Sequence, residues 1–271
     1  MTEIQRYAAF TADPGGGNPA GIVLDARGLS DVEMLTIAAE VGYSETAFIV
    51  SASGPYRVRY FSPEIEVPFC GHATIATAVA LGPGEHVFTT NAGEVPITVD
   101  GSGRATLTSV PASVADLDPA DLGALLEALR YSGSDLDGSL PPKVAYAGAH
   151  HPVIALATRS GLAGLDYDVD ALKALMGARD WTTIQLVHRA ADDTFDVRNP
   201  FPVGGVYEDP ATGAAAAALG AYLRELKVVP EDAEVTIRQG HDMGRPSRIT
   251  VTLIPGDDRV RVSGTAVPIT G

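Results

Sequence analysis

Two alanine-rich segments at matching places in the two halves of the chain constrain its fold more than any other feature. Ala73, Thr74, Ala76, Ala78, Ala80, Leu81 and Gly82 match Ala211, Thr212, Ala214, Ala216, Ala218, Leu219 and Gly220 at an offset of 138. Upstream, Val58, Arg59 and Pro63 match Val197, Arg198 and Pro202 at an offset of 139. Alanine-rich stretches align easily by chance, but here a strand, a proline and a helix start agree together. Read as a duplication, the pattern predicts two related lobes that present equivalent helix N-termini to one another. Gly71 and His72 would then take the places of Asp209 and Pro210.

Length supports the same division, because 271 residues at roughly 150 per domain make about two domains. We place the connection between Pro111 and Pro142 and draw the lobes at 1–113 and 114–271, with the last strand able to pack on the N-terminal lobe. A hydrophobic share of 45% excludes a disordered chain. A formal charge of -15 repels phosphate backbones and anionic membranes, so nucleic-acid binding is not expected. A single cysteine excludes an internal disulfide and suits a reducing compartment. Met1–Phe10 lacks a basic segment followed by an apolar run, and no stretch approaches the roughly 18 apolar residues of a membrane span. A soluble cytoplasmic protein is expected.

The clearest helix signal is Leu29 Ser30 Asp31 Val32 Glu33 Met34, a capping box from Ser30 to Glu33 with a Leu29 to Met34 staple, closed by Gly42. Strands follow at 46–50 and 56–61, which leaves Ser44 and Glu45 on the turn before the first of them. Further strands are expected at 95–99, 105–108, 153–157, 183–187, 195–198, 235–238, 249–253 and 260–262. The alanine-rich helices read as 73–81, starting at Gly71 and His72, and as 214–225. Asp118 Pro119 opens another helix, and Asp168 caps one that Gly177 ends.

A helix N-terminus carries about half a positive charge and several unpaired N–H groups, so two of them make sites for carboxylate or a developing enolate. His72 and Asp209 stand at those helix starts. Glu45 is the remaining carboxylate in apolar sequence, where desolvation would suit a base that takes a proton from carbon. Together they suggest proton transfer beside, or conjugated with, a carboxylate. Plainer readings compete: Glu45 as a solvated turn residue, Asp209 as a helix cap, His72 as a local hydrogen-bonding residue. Cys70 reads as a buried cysteine rather than a nucleophile. Gly15 Gly16 Gly17 lacks the spacing of a phosphate loop and reads as a turn. His150 and His151 point to opposite faces of a strand, and no histidine set has ligand spacing, so no metal site is expected.

Five stretches carry a resemblance to a known family. They are Phe10 Thr11 with Gly17 Asn18 Pro19 Ala20, then Ser44 Glu45 Thr46 Ala47 Phe48, and Pro68 Phe69 Cys70 Gly71 His72 Ala73 Thr74. The last two are Glu208 Asp209 Pro210 Ala211 Thr212 Gly213, and Gln239 Gly240 with Met243 Gly244 Arg245 Pro246 Ser247. In this order, spread over nearly the whole chain, they resemble the PhzF-like isomerases of phenazine biosynthesis, which have the diaminopimelate epimerase-like fold. The resemblance implies an α+β protein of two pseudo-symmetric lobes, each a mixed β-sheet wrapped around a central helix, with the site in the cleft between them and no cofactor. It implies Glu45 as the acid/base, His72 and Asp209 as catalytic partners, and Asn18, Gly71, Thr74, Gly213 and Ala214 as substrate-binding residues. Ala214 departs from the family, where Ser is frequent, and removes one hydroxyl contact. Related epimerases use one cysteine per lobe, and Cys70 alone excludes that pair. The implied activity is proton transfer between carbons of a small carboxylate, either a dihydro-hydroxyanthranilate-like ring or an amino or hydroxy acid. Relatives suggest a homodimer. A two-base epimerase using Glu45 and Asp209 stays open, as does a carboxylate-binding protein whose chemistry has lapsed.

Overall fold

The computed structural model describes residues 2–270. Of these, the residues up to Thr108 together with those from Ser263 onward form one compact unit, and Ser109–Val262 form the other. The division falls at 108/109 rather than at 113/114. Ser109 and Ala112 donate their N–H groups to the carbonyls of Val260 and Asp258, which ties that stretch to the second unit.

The first unit runs through β1 (Gln5–Ala9), β2 (Asn18–Val23), α1 (Asp31–Val41), β3 (Glu45–Ile49), β4 (Tyr56–Phe61), β5 (Glu66–Val67), α2 (Gly71–Leu81), β6 (Gly84–Thr90), β7 (Gly93–Val99) and β8 (Arg104–Thr108). The second contains β9 (Ser113–Asp116), α3 (Pro119–Ala128), β10 (Lys143–Tyr146), β11 (His150–Ala155), α4 (Arg159–Ala163), α5 (Val169–Arg179), β12 (Gln185–Ala191), β13 (Thr194–Pro200), β14 (Glu208–Asp209), α6 (Gly213–Glu225), β15 (Glu234–Gln239) and β16 (Ser247–Leu253). The last strand, β17 (Val260–Pro268), leaves the second unit and ends in the first, where it pairs antiparallel with β1.

Strand order is the same in both units. In the first, β1–β2 is antiparallel, β2–β3 parallel, β3–β4 antiparallel, β4–β6 parallel and β6–β7 antiparallel. In the second, β10–β11, β11–β12, β12–β13, β13–β15 and β15–β16 repeat that series. The first sheet closes on itself, because β8 follows β7 and pairs with β17. Inside each sheet lies one small-residue helix. Every residue of α2 from His72 to Ala78 is buried, as is every residue of α6 from Ala215 to Leu223. A helix buried on all sides must be apolar all round, and Ala and Gly let the surrounding strands approach it closely. This is the α+β architecture expected from the sequence.

The capping box of α1 is present, with the Glu33 N–H donated to Ser30 Oγ and the Ser30 N–H donated to Glu33 Oε2, and Gly42 closes the helix at φ 71°. The expected stop of α5 at Gly177 is corrected. The helix continues to Arg179 and is closed by Asp180, whose short polar side chain tolerates the left-handed φ of 55°. A core of Met34, Ala38, Phe48 and Phe61 packs under α1, and a larger one including Leu125, Leu172, Trp181 and Leu186 underlies α3 and α5.

The repeat is present, but its register differs from the expected one. Tyr60 pairs with Val67 and Phe61 with Glu66; in the second unit Asn199 pairs with Asp209 and Pro200 with Glu208. Each hairpin carries the same ion pair, Arg59 to Glu66 at 2.7 Å and Arg198 to Glu208 at 2.5 Å. The link is Ser62–Ile65 in the first unit and the longer Phe201–Tyr207 in the second, so the offset grows from 139 to 142. Gly71 therefore corresponds to Gly213, His72 to Ala214, and Asp209 to Val67. Gly71 and His72 do not occupy the places of Asp209 and Pro210. The alanine match at 138 lies four residues away, about one turn of 3.6 residues, and a shift of one turn returns the same helix face. No described helix is long and apolar enough to cross a membrane, which leaves strand-built membrane proteins unaddressed.

Candidate active site

Each unit carries a cluster of polar side chains at the start of its central helix. In the first, Asn18 opens β2. Gly17 before it has φ 65°, and a Cβ there would stand 2.4 Å from the Ala9 carbonyl oxygen, so only glycine lets Asn18 approach this closely. Glu45 is the first residue of β3 rather than a turn residue, and Ser44 precedes it. Cys70 is the N-cap of α2, and His72 is its second residue.

These side chains converge on the His72 ring. Nδ1 lies 3.1 Å from Asn18 Nδ2, while Nε2 lies 3.4 Å from both Glu45 Oε2 and Ser44 Oγ. Cys70 Sγ is 3.3 Å from Nδ1 and 3.8 Å from Nε2. A sulfur so evenly spaced from both ring nitrogens lies over the imidazole face. Burial lowers the pKa of His72; the Glu45 carboxylate and a hydrogen bond to the backbone of Pro19 oppose this without cancelling it. The ring is therefore neutral at neutral pH, with one nitrogen able to donate and the other to accept. The His72 side chain is 6% exposed and that of Glu45 is 16%, so the carboxylate is the part of the pair that reaches outward.

In the second unit Asp209 lies on β14 and is buried, with Oδ2 accepting from Thr212 Oγ1 at 2.5 Å. The N-cap of α6 is Thr212 and not Asp209, which removes the plain capping reading. Gln239 fixes this corner. Its Nε2 donates to the Asp209 carbonyl at 2.7 Å and to Thr212 Oγ1 at 3.1 Å, while its Oε1 accepts the Thr212 N–H at 3.1 Å. Gly240 follows at φ 73°, where a Cβ would meet the Arg245 carbonyl oxygen at 2.3 Å and that of Pro210 at 2.8 Å. Residue types alone did not reveal Gln239; the one signal was the Gln239 Gly240 motif, whose task appears only in three dimensions.

The remaining expected residues divide. Gly71 and Ala214 are partly exposed at the helix starts, and Gly213 is buried as the first residue of α6. Thr74 is fully buried, its hydroxyl donating to the Cys70 carbonyl at 2.7 Å and lying 2.6 Å from Tyr60 Oη. That hydroxyl is taken up inside the unit. Thr158, Asp118, Asp168 and Ser30 each cap their helix with a side chain, whereas Cys70 on α2 and Thr212 on α6 do not. Among the described α-helices, only the two central ones leave their first N–H groups without a side-chain cap, which suits them to an anionic group.

The repeat also shows what replaces Glu45. Arg59 faces Phe48 across β3–β4, and Arg198 faces Leu186 across β12–β13, so Glu45 corresponds to Thr183. Thr183 is buried, with Oγ1 2.8 Å from His151 Nδ1. The second unit therefore has no carboxylate at that place. One donor set the sequence spacing did not disclose is Glu45, Cys70 and His72, whose ligand atoms all lie within 4.8 Å of one another.

Comparison with known proteins agrees with this architecture. The family model described as phenazine biosynthesis-like protein matches residues 7–271. An uncharacterized isomerase, YddE of Escherichia coli K12, is 34% identical over 98% of this chain and 95% of its own. The trans-2,3-dihydro-3-hydroxyanthranilate isomerase of Pseudomonas aeruginosa is 30% identical over 97% of this chain and 93% of its own. A PhzF-family phenazine biosynthesis protein from Bacillus anthracis superposes with a TM-score of 0.88 at 27% identity, covering 98% of this chain and 96% of that one. The fold is the α+β fold shared by PhzF-family and epimerase-like proteins, and the similarity to proteins named isomerases makes this chain an isomerase. The chain belongs to the phenazine biosynthesis-like, PhzF, family.

Proposed function

We propose that the protein is a cofactor-independent isomerase that moves a proton between two carbons of a small carboxylate substrate, with Glu45 as the one base. The observation that carries this reading is the pairing of the outward-reaching Glu45 carboxylate with a neutral, buried His72, at a place where the second unit carries Thr183. A single carboxylate that removes and returns the proton acts on one face of its substrate. The neutral imidazole orients the carboxylate and can hydrogen-bond the substrate without competing for its proton. The substrate carboxylate meets the uncapped N–H groups at a central helix start, where the partial positive charge also stabilises negative charge built up as the proton leaves. Asp209, locked by Thr212 and Gln239, accepts from an amino or hydroxyl group. The Pseudomonas aeruginosa relative acts on a hydroxyanthranilate-type ring, and we propose a ring or chain of that kind, bearing a carboxylate and an amino or hydroxyl group.

In the two-base epimerase reading Asp209 is a second base beside Glu45. Substrate deuterated at the reacting carbon separates the two. One base on one face leaves part of the label in the product, whereas inversion by two bases replaces it with solvent hydrogen. Glu45→Gln is expected to lower turnover by about 100-fold or more with an unchanged melting temperature. An unchanged rate in this variant refutes the assignment, and binding of carboxylates without turnover in the wild type favours the lapsed binding protein.

A further inference from the structure

We propose that Glu45, Cys70 and His72 also form a binding site for one thiophilic divalent cation of the zinc type, and that its occupancy switches the base off. The three donors come from separate places: Glu45 from the start of β3, Cys70 and His72 from the first turn of α2. Their chemistry, one carboxylate oxygen, one sulfur and one imidazole nitrogen, is that of zinc and its thiophilic neighbours rather than of magnesium or calcium.

The spacing fits. Bonds of about 2.0–2.2 Å to nitrogen and oxygen at a tetrahedral centre hold those donors about 3.4 Å apart, and a sulfur bond of about 2.3 Å places sulfur about 3.6 Å from the nitrogen. In the structure Nε2 is 3.4 Å from Glu45 Oε2 and 3.8 Å from Cys70 Sγ. The sulfur lies over the ring face, so coordination requires it to move toward the plane of Nε2. Support behind the histidine is present as well. A metal-bound imidazole normally donates through its other nitrogen; the Pro19 backbone, to which His72 hydrogen-bonds, can accept there, while the Asn18 amide, 3.1 Å from Nδ1, has to present its oxygen instead of Nδ2. Cys70 and His72 are buried, while Glu45 is partly exposed, so the fourth position opens on the same side as the carboxylate. Binding sends the thiol proton to solvent, so affinity rises with pH. A carboxylate held by the cation can no longer take a proton from carbon. That last consequence rests on the isomerase reading; the cation site itself does not.

The test uses the full chain, freed of metal with a chelator and titrated with cobalt(II). The wild type is expected to develop a sulfur-to-cobalt charge-transfer band that saturates at one equivalent and is displaced by zinc(II). Cys70→Ser is expected to lose the band and to bind zinc at least about tenfold more weakly, on the scale of losses seen when a site's support is removed. Zinc inhibition of each protein is read against its own metal-free rate. Zinc inhibits the wild type in step with occupancy, is reversed by chelator, and spares Cys70→Ser. Glu45→Gln, with its fold checked by circular dichroism, keeps the band and binds zinc more weakly. Absence of the band in the wild type, its persistence in Cys70→Ser, or equal zinc inhibition of both proteins overturns the proposal. A band without any turnover would count against the isomerase reading alone, and turnover without a band against the cation site alone.

Discussion

The duplicated ion pair supplies an experiment with an internal control. Arg198 and Glu208 have side chains only 9% and 2% exposed, whereas Arg59 and Glu66 are 19% and 27% exposed. Glu208→Gln keeps shape and removes charge, which leaves the Arg198 guanidinium buried with the carbonyls of Ala163 at 2.9 Å and Leu162 at 3.4 Å as its remaining partners. Burial opposes the charge on Arg198, and the Glu208 carboxylate, with smaller contributions from Asp242 and Tyr131, more than offsets it. Breaking such a pair from one side costs about 3–5 kcal/mol, equivalent to about 10 °C or more in melting temperature for a protein of this size. Glu66→Gln removes less, because Arg59 keeps Asp31 at 2.6 Å and the pair is partly exposed; a loss within about 1 kcal/mol is expected. Urea unfolding followed by circular dichroism reads both units, and the fluorescence of Trp181, the one tryptophan, in the core of the second unit, reads that unit directly. Replacing both partners, Arg198→Met with Glu208→Leu, is expected to recover most of the loss, since no charge is then stranded. Equal effects of Glu208→Gln and Glu66→Gln would refute the reasoning, because burial would then not set the strength of the pair.

Two further outcomes concern the Asp209 corner and a third a buried histidine of the second unit. Gln239→Leu removes three hydrogen bonds at the Asp209 corner and is expected to raise KM with little change in the pH dependence of turnover; a pH profile displaced with KM intact would contradict a positioning role. Asp209→Asn is expected to weaken substrate binding and turnover while α6 keeps its stability, measured by amide exchange, because Thr212 is the N-cap. Burial pushes His151 down to about 3 from an ordinary 6.5. The unfolded chain therefore binds a proton that the folded one refuses. Its contribution to stability is intact above pH 6.5 and is lost as pH falls toward 3, by about 4–5 kcal/mol in all. His151→Gln is expected to flatten the acid limb of stability against pH, and an unchanged limb would count against burial as the cause.

Local chemistry made much of this fold legible. Ser30, Glu33 and Gly42 delimit α1 because caps are read from neighbours in sequence, and the alanine-rich segments announced the central helices because only small side chains suit a helix enclosed by strands. The strand at Asn18–Val23 was not legible, since Asn18, Pro19 and Gly21 favour turns and only its pairing with β1 and β3 makes it a strand. Register of the repeat was lost for a related reason: alanine at every position makes one helical turn look like the next. Glu45, His72 and Asp209 could be singled out, but their partners could not. The approach of Cys70 to Glu45 and the grip of Gln239 on Thr212 depend on pairing between residues distant in sequence, which no local pattern records.

The path of β17 bears on how the chain folds as it is made. β1 needs residues 263–268 as its neighbour, and these leave the ribosome only after Ser109–Val262 has been synthesised. At roughly 5–20 residues per second that interval is roughly 8–30 s. Throughout it β1 and β8 lack the strand that joins them, and at its end the second unit has all of its residues while the first still waits for its last. The half of the protein that begins first thus finishes last, and the Glu45 cluster waits on the final strand for the closure of the sheet that holds it.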